Sequence, residues 1–193
     1  MQTSTAEPCP LGTYSSQTRL TTATSCTDCP AGYFCNKTAI SNYKLYPCPK
    51  GRYCTARSLS PINCPAGTYK NTTGARQEAD CYACPPGFYC PEGTIQPVPC
   101  RGATDCPLSS KFYTTCPGGS YCNAANNFQA TVCPMNYYCP RGTQNPIPCT
   151  GRLLCDEGSE VPDLCGAGNI VVQGDDGFIN TCQMCPQGTY STL

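Results

Sequence analysis

The chain reads as small disulfide-rich repeats: an elongated, rod-like array of short β-hairpin and loop units with little or no helix. Three observations predict this. The opening Cys-Pro-x-Gly-x-Tyr returns throughout the sequence, and a recurring unit of this length is the mark of a repeat architecture. The 21 cysteines fall at regular steps along 193 residues. With 20 Pro, 18 Gly and no Trp, the composition is far from that of a chain that builds one large core. Units this small are held by cross-links, each disulfide contributing roughly 2–4 kcal/mol, mostly by restricting the unfolded chain. Elongation is expected because each unit of such an array touches mainly its neighbours.

Repeats open at Cys9, Cys29, Cys48, Cys64, Cys84, Cys100, Cys116, Cys133, Cys149, Cys165 and Cys185. Each complete repeat holds one further cysteine. It lies six residues on (Cys35, Cys54, Cys90, Cys106, Cys122, Cys139, Cys155) or seventeen residues on (Cys26, Cys81, Cys182). Residues 1–8 are a polar lead. Residues 9–63 form a first group, one long repeat and two short ones, and 64–164 a second, one long repeat and five short ones. The third group, 165–193, is a long repeat followed by the start of the next. Within the second group, Cys84-Pro-Pro-Gly-Phe-Tyr-Cys90 returns as Cys133-Pro-Met-Asn-Tyr-Tyr-Cys139, so repeats are copied in groups of three.

Counting the first cysteine as position one, position four is Gly in eight repeats (Gly12, Gly32, Gly51, Gly67, Gly87, Gly119, Gly168, Gly188), and Asn136 fills a ninth. Both residue types tolerate a left-handed turn. Position six is aromatic at Tyr14, Phe34, Tyr53, Tyr69, Tyr89, Tyr121, Tyr138 and Tyr190. A ring beside a disulfide is the largest apolar surface such a repeat can bury, so these rings are expected to be each repeat's miniature core rather than a ligand row. Asn71-Thr-Thr-Gly74 is turn chemistry. The clearest hairpin signal is Asn169-Ile-Val-Val-Gln173 and Phe178-Ile179 around Gly174-Asp-Asp-Gly177. Elsewhere strands should run two to four residues, because prolines around the cysteines remove ladder donors.

Cys-Pro-x-Gly-Thr-Tyr, a Ser/Thr-rich loop, Cys-x-x-Cys and another Pro-x-Gly-x-Tyr together resemble the ephrin-receptor-like cysteine-rich repeat. That repeat is found in tandem arrays of secreted and surface proteins, those of protists and algae among them. More loosely the chain resembles the cysteine-rich modules of the TNF-receptor ectodomain. The long repeats match well and the short ones less, and after Cys100, Cys149 and Cys165 the proline is missing. The resemblance speaks to architecture, because such arrays serve receptors, adhesins, coats and filaments alike.

All twenty cysteines of the complete repeats are expected in disulfides. The simplest assignment closes each long loop on itself, Cys9 with Cys26, Cys64 with Cys81 and Cys165 with Cys182, and it matches the opening loop of the TNF-receptor-like module. For the short repeats two schemes stand. One closes each repeat on itself; the other crosses neighbours, as in Cys84 with Cys100 and Cys90 with Cys106. Cys185 is left to bond a cysteine beyond Leu193 or in another chain.

Cys26-x-x-Cys29, Cys81-x-x-Cys84 and Cys182-x-x-Cys185 have the spacing of half a zinc site or a redox motif. The chain has no His to complete a zinc site and no βαβ pattern to carry redox chemistry. Lack of His and of a phosphate-binding glycine loop also argues against catalysis. Glu157, Glu160 and Asp163 are spread over a Pro-containing loop. Asp175-Asp176 reads as a solvated turn rather than a calcium site. No enzyme activity, cofactor or metal is expected.

Twelve basic and twelve acidic residues cancel without clustering, which leaves no nucleic-acid footprint. No stretch has the length of a membrane span, so no membrane insertion is expected of this segment. The disulfide density implies an extracellular or cell-surface location. Residues Met1 to Pro8 lack the apolar core of a signal peptide, and the sequence stops inside a repeat, so the chain is expected to be part of something longer. Asn36-Lys-Thr38 and Asn71-Thr-Thr73 are N-glycosylation acceptors. Ser15 to Ser25, Pro97-Val-Pro99 and Pro146-Ile-Pro148 are compositional candidates for O-linked sugar. These features favour a glycosylated structural segment of an extracellular filament, coat or flagellar appendage, partnered by copies of itself or by other matrix proteins. The alternative is the stalk or ligand-contacting ectodomain of a receptor or adhesin.

Overall fold

The computed structural model describes residues 7–18, 20–150, 153–173 and 179–190. Among the described residues nine two-stranded antiparallel sheets follow one another, together with four single turns of 3₁₀ helix. The fold is therefore a small disulfide-rich repeat of β-hairpins. Contacts group the residues into two compact bodies, one of Met1–Pro85, Tyr89–Val98 and Ser109–Phe112, the other of Pro86–Phe88, Pro99–Leu108 and Tyr113–Leu193.

Each hairpin is built the same way. Positions five and six of a repeat pair with the last two residues before the next repeat, as Thr13–Tyr14 does with Thr27–Asp28, Arg52–Tyr53 with Ile62–Asn63 and Thr68–Tyr69 with Tyr82–Ala83. The repeat at Cys29 is reduced to a single bridge between Tyr33 and Pro47. Outside the Cys165 repeat every strand is two residues long. Prolines explain part of this: Pro99 and Pro148 end their strands with no N–H to give. In the Cys165 repeat, Asn169–Gln173 pairs with Ile179–Met184, with a register shift between Val172 and Gln173. Its connecting turn, with Asp175-Asp176, lies outside the described residues.

The hairpin is entered through a β-turn. In the first repeat the N–H of Thr13 donates to the carbonyl of Pro10 (3.2 Å) with Gly12 at φ +78°, and Thr68 does the same to Pro65 (3.1 Å) across Gly67 at φ +90°. A third turn residue at positive φ is what glycine supplies without steric cost. In the Cys133 repeat Asn136 holds the conformation at φ +68°, and in the Cys100 repeat, where position four is Ala103, the positive φ falls on Gly102 (+68°).

Ten disulfides close the described repeats, and each closes within its own repeat. The long loops are Cys9–Cys26, Cys64–Cys81 and Cys165–Cys182. The short ones are Cys29–Cys35, Cys48–Cys54, Cys84–Cys90, Cys100–Cys106, Cys116–Cys122, Cys133–Cys139 and Cys149–Cys155. Of the two schemes open for the short repeats, the structure has the self-closing one. These bridges also displace the aromatic rings from the role the sequence suggests. The fully buried side chains are cysteines, Cys29, Cys35, Cys48, Cys54, Cys64 and Cys84 among them, whereas Tyr14, Phe34, Tyr53, Tyr69, Tyr89, Tyr121 and Tyr138 are only half-buried. A repeat of some sixteen residues encloses a sulfur pair more readily than a phenol, and around Cys29–Cys35 the rings pack against the bridge from outside. That cluster is Cys29, Cys35 and Ile40 under Tyr14, Tyr33, Tyr43 and Tyr46. The insert after Cys35 supplies its own ring: Tyr43 lies 4.6 Å from Tyr14 and 4.8 Å from Tyr33, centroid to centroid.

Candidate functional site

What recurs with most regularity is the seam between successive repeats. Between the repeats at Cys48 and Cys64 it consists of four backbone hydrogen bonds. Cys64 N–H donates to Gly51 O (2.9 Å) and Gly51 N–H to Lys70 O (2.8 Å). Cys54 N–H donates to Ala75 O (3.0 Å) and Gly74 N–H to Cys48 O (2.8 Å). The same four positions are bonded between Cys64 and Cys84 repeats, where Gly67 N–H reaches Cys90 O at 2.7 Å and Gly93 N–H reaches Cys64 O at 2.9 Å. In the other body they recur between the Cys116 and Cys133 repeats through Gly119 and Gly142. The position-four residue is thus donor and acceptor at once, satisfying the polar groups that a two-residue hairpin leaves over.

Half of this seam depends on a second left-handed turn that the sequence reading did not identify. It lies at Arg57, Gly93, Ser109, Gly142 and Gly158, the tenth position of their repeats, and one residue later at Ala39 and Gly74. Its N–H donates to the first cysteine of the preceding repeat. The next residue turns inward, which makes Ile40, Ser58, Ala75, Ser110 and Thr143 buried despite their mixed chemistry. The signal was present in Gly74, Gly93, Gly142 and Gly158. It was hidden because Ala, Arg and Ser occupy the same place elsewhere, where the seam holds the backbone against its intrinsic preference.

The seam also reaches the repeat after next. A methyl group on Gly32 would stand 2.8 Å from the carbonyl oxygen of Gly74, and one on Gly67 2.6 Å from that of Ser109. Gly51 against Gly93 and Gly119 against Gly158 are closer still. At these four positions glycine is therefore required twice, by its φ and by the backbone that lies against it. Side chains add little: Arg57 Nε lies 3.4 Å from Asp28 Oδ1 with both largely in water, a pair worth about 0–1 kcal/mol.

Two of the three Cys-x-x-Cys pairs are divided between two bridges: Cys26 is bonded to Cys9 and Cys29 to Cys35, and Cys81 to Cys64 and Cys84 to Cys90. Cys182 is bonded to Cys165, and Cys185 is the one free thiol among the described residues, half-buried, with its N–H donating to Gly168 O at 2.9 Å. Glu157, Glu160 and Asp163 are exposed, and Glu160 lies against Gly118. Where short repeats place their second cysteine, the long ones have Ser15, Lys70 and Val171. Lys70 is buried there, its Nζ 3.3 Å from Tyr82 Oη and 4.3 Å from the ring centroid, so a cation over a phenol ring fills a place taken elsewhere by sulfur. Asp80 Oδ2 accepts from the N–H of Arg76 (2.6 Å) and of Gln77 (3.4 Å), and the Arg76 bond holds its carboxyl below the ordinary value.

Ten disulfides give the chain the character of a secreted or extracellular protein. Among the described residues no helix is long and apolar enough to cross a membrane. No protein-family model matches the chain, and no curated protein matches it.

Proposed function

We propose that this chain is a structural segment of an extracellular filament, coat or flagellar appendage, in which repeats of ephrin-receptor-like type serve to hold one another in line. The observation that carries the reading is the four-bond backbone seam, renewed from repeat to repeat through Gly51, Gly67 and Gly119. Backbone groups that bind the neighbouring repeat are not offered to a ligand. A seam made of main chain tolerates wide side-chain variation while keeping one geometry, which suits a repetitive structural material. The partners are copies of the chain or other matrix proteins, and the Cys185 thiol is where a covalent cross-link between them would be made.

Electron microscopy of native material, with antibodies against this segment, tests the reading. Periodic labelling along extracellular filaments or a coat is the expected result. Label confined to isolated surface molecules that capture a soluble protein ligand would replace it with the receptor or adhesin reading.

A further inference from the structure

Asn36 and Asn71 occupy one and the same seat in two different repeats. Each is the eighth residue of its repeat, directly after the position that carries Cys35 in one and Lys70 in the other, and each has a threonine two residues on. Each acceptor tripeptide ends where the second left-handed turn begins, at Ala39 (φ +60°) and Gly74 (φ +82°). In both repeats that turn residue is tied to the preceding repeat, Ala39 N–H to Cys9 O at 3.0 Å and Gly74 N–H to Cys48 O at 2.8 Å. Most short repeats reach the turn one residue sooner, at Arg57, Gly93, Ser109, Gly142 and Gly158. The acceptor tripeptide is thus carried on a loop with one residue more, pinned at both ends.

Residues 36–38 and 71–73 are all exposed. Neither carboxamide has a hydrogen-bond partner among the described residues, and a Cβ on Gly74 would meet nothing within 4 Å. Asn123, also the eighth residue of its repeat, shows what the seat looks like when the carboxamide is used by the fold. Its Oδ1 accepts from Ala125 N–H (3.0 Å) and Asn126 N–H (3.3 Å), and its Nδ2 donates to Gln144 O (3.0 Å). Ala125 stands where the acceptors have threonine.

From this equivalence we infer that Asn36 and Asn71 are a matched pair of N-glycan attachment sites, a modification built into the repeat and not two chance tripeptides. The reaction takes its sugar from a lipid diphosphate-linked oligosaccharide. The carboxamide nitrogen loses one proton and bonds to the anomeric carbon, and the bond from that carbon to the diphosphate oxygen breaks, so that the lipid diphosphate leaves with the bonding pair. The inference rests on the extracellular part of the proposed function, because only an exported chain meets such a donor. The two repeats that carry the sites also touch, Gly32 of one lying against Gly74 of the other, so the sugars share one neighbourhood and leave the seam free.

The test is secretion of the full chain from a eukaryotic cell, followed by thiol counting and by peptide-N-glycosidase treatment in ¹⁸O-labelled water. Conversion of Asn36 and of Asn71 to ¹⁸O-labelled Asp is expected, each at most of the chains. Asn36→Gln and Asn71→Gln should each remove one step of gel mobility, and the double variant both. An oxidised, secreted chain without label at either residue, or with label at one alone, overturns the pairing and leaves the extracellular reading standing. Free thiols throughout the chain overturn both.

Discussion

The loops closed by Cys64–Cys81 and Cys165–Cys182 have the same sequence separation of 17 residues, yet they differ in burial. Cys64 is fully buried and Cys165 7% exposed, but the second cysteines part more widely: Cys81 is buried at 9% exposure, whereas Cys182 lies at the surface. The difference does not come from the loops themselves. Gly67 of the first has Ser109 O against it and gives its N–H to Cys90 O, while among the described residues a Cβ on Gly168 of the second would meet nothing within 4 Å. A repeat closes its own ring, and its neighbours bury it. Covalent and non-covalent order are thus divided between two levels, the disulfide acting within a repeat and the backbone seam between repeats.

Substituting the two glycines separates these levels most strongly. Gly67→Ala and Gly168→Ala place alanine at φ +90° and +80°, a conformational cost of about 1–2 kcal/mol in either case. Only Gly67→Ala also drives a methyl group to 2.6 Å from a backbone oxygen. Overpacking of that kind adds roughly 1–3 kcal/mol. Repeat arrays need not unfold in one step, so the readout is amide exchange. Gly67→Ala should speed exchange at Cys84, Cys90 and Gly93, across the seam; Gly168→Ala should reach no further than Cys185, whose N–H its carbonyl accepts. Equal, local effects from both would remove the distinction between the two loops.

A smaller effect separates them by charge. The Cys64 loop turns through Glu78–Asp80 with the Asp80 carboxylate accepting from Arg76 N–H, while the described part of the Cys165 loop is extended strand. Because the folded-state pKa of Asp80 is lowered, its contribution is fully present above the ordinary carboxylate range and is lost as pH falls through the lowered folded value. Carboxyl titration by NMR should find Asp80 titrating below an unperturbed aspartate. In Asp80→Asn, whose amide is a weaker acceptor, the turn at Arg76 should loosen slightly while both long disulfides remain. An Asp80 titration at the ordinary value would show that the Arg76 bond is not made in solution.

Much of this division was legible in the residues, and its gaps have physical causes. Position four was readable because a left-handed φ favours Gly or Asn, as Gly12 and Asn136 show, whereas the close backbone approach at Gly67 comes from two repeats away and was not. The turn at Arg57, Ala39 and Ser109 was not, because there the tertiary seam overrides residue preference. The aromatic row at position six was visible, but its rank in the core was not. How far a ring is buried depends on the enclosing volume of the repeat, which residue identity does not reveal, and the sulfur pairs take the interior first. The hairpin from Asn169 showed in its β-branched run. Short-repeat pairing stayed open because Cys84 is sixteen residues from Cys100 and six from Cys90, and neither spacing excludes a bridge. For the glycan seat, the tripeptides at Asn36 and Asn71 were plain, but their equivalence required the turn that follows them.

Disulfide mapping of unreduced protein tests the division of labour most directly. Protease fragments of the native chain, read by mass spectrometry before and after reduction, distinguish closure within a repeat from closure between repeats. The account predicts Cys84 linked to Cys90 and Cys100 linked to Cys106, with the Cys64–Cys81 loop intact beside them. Cys84 linked to Cys100 and Cys90 to Cys106 would place the covalent bonds across the seam and contradict it.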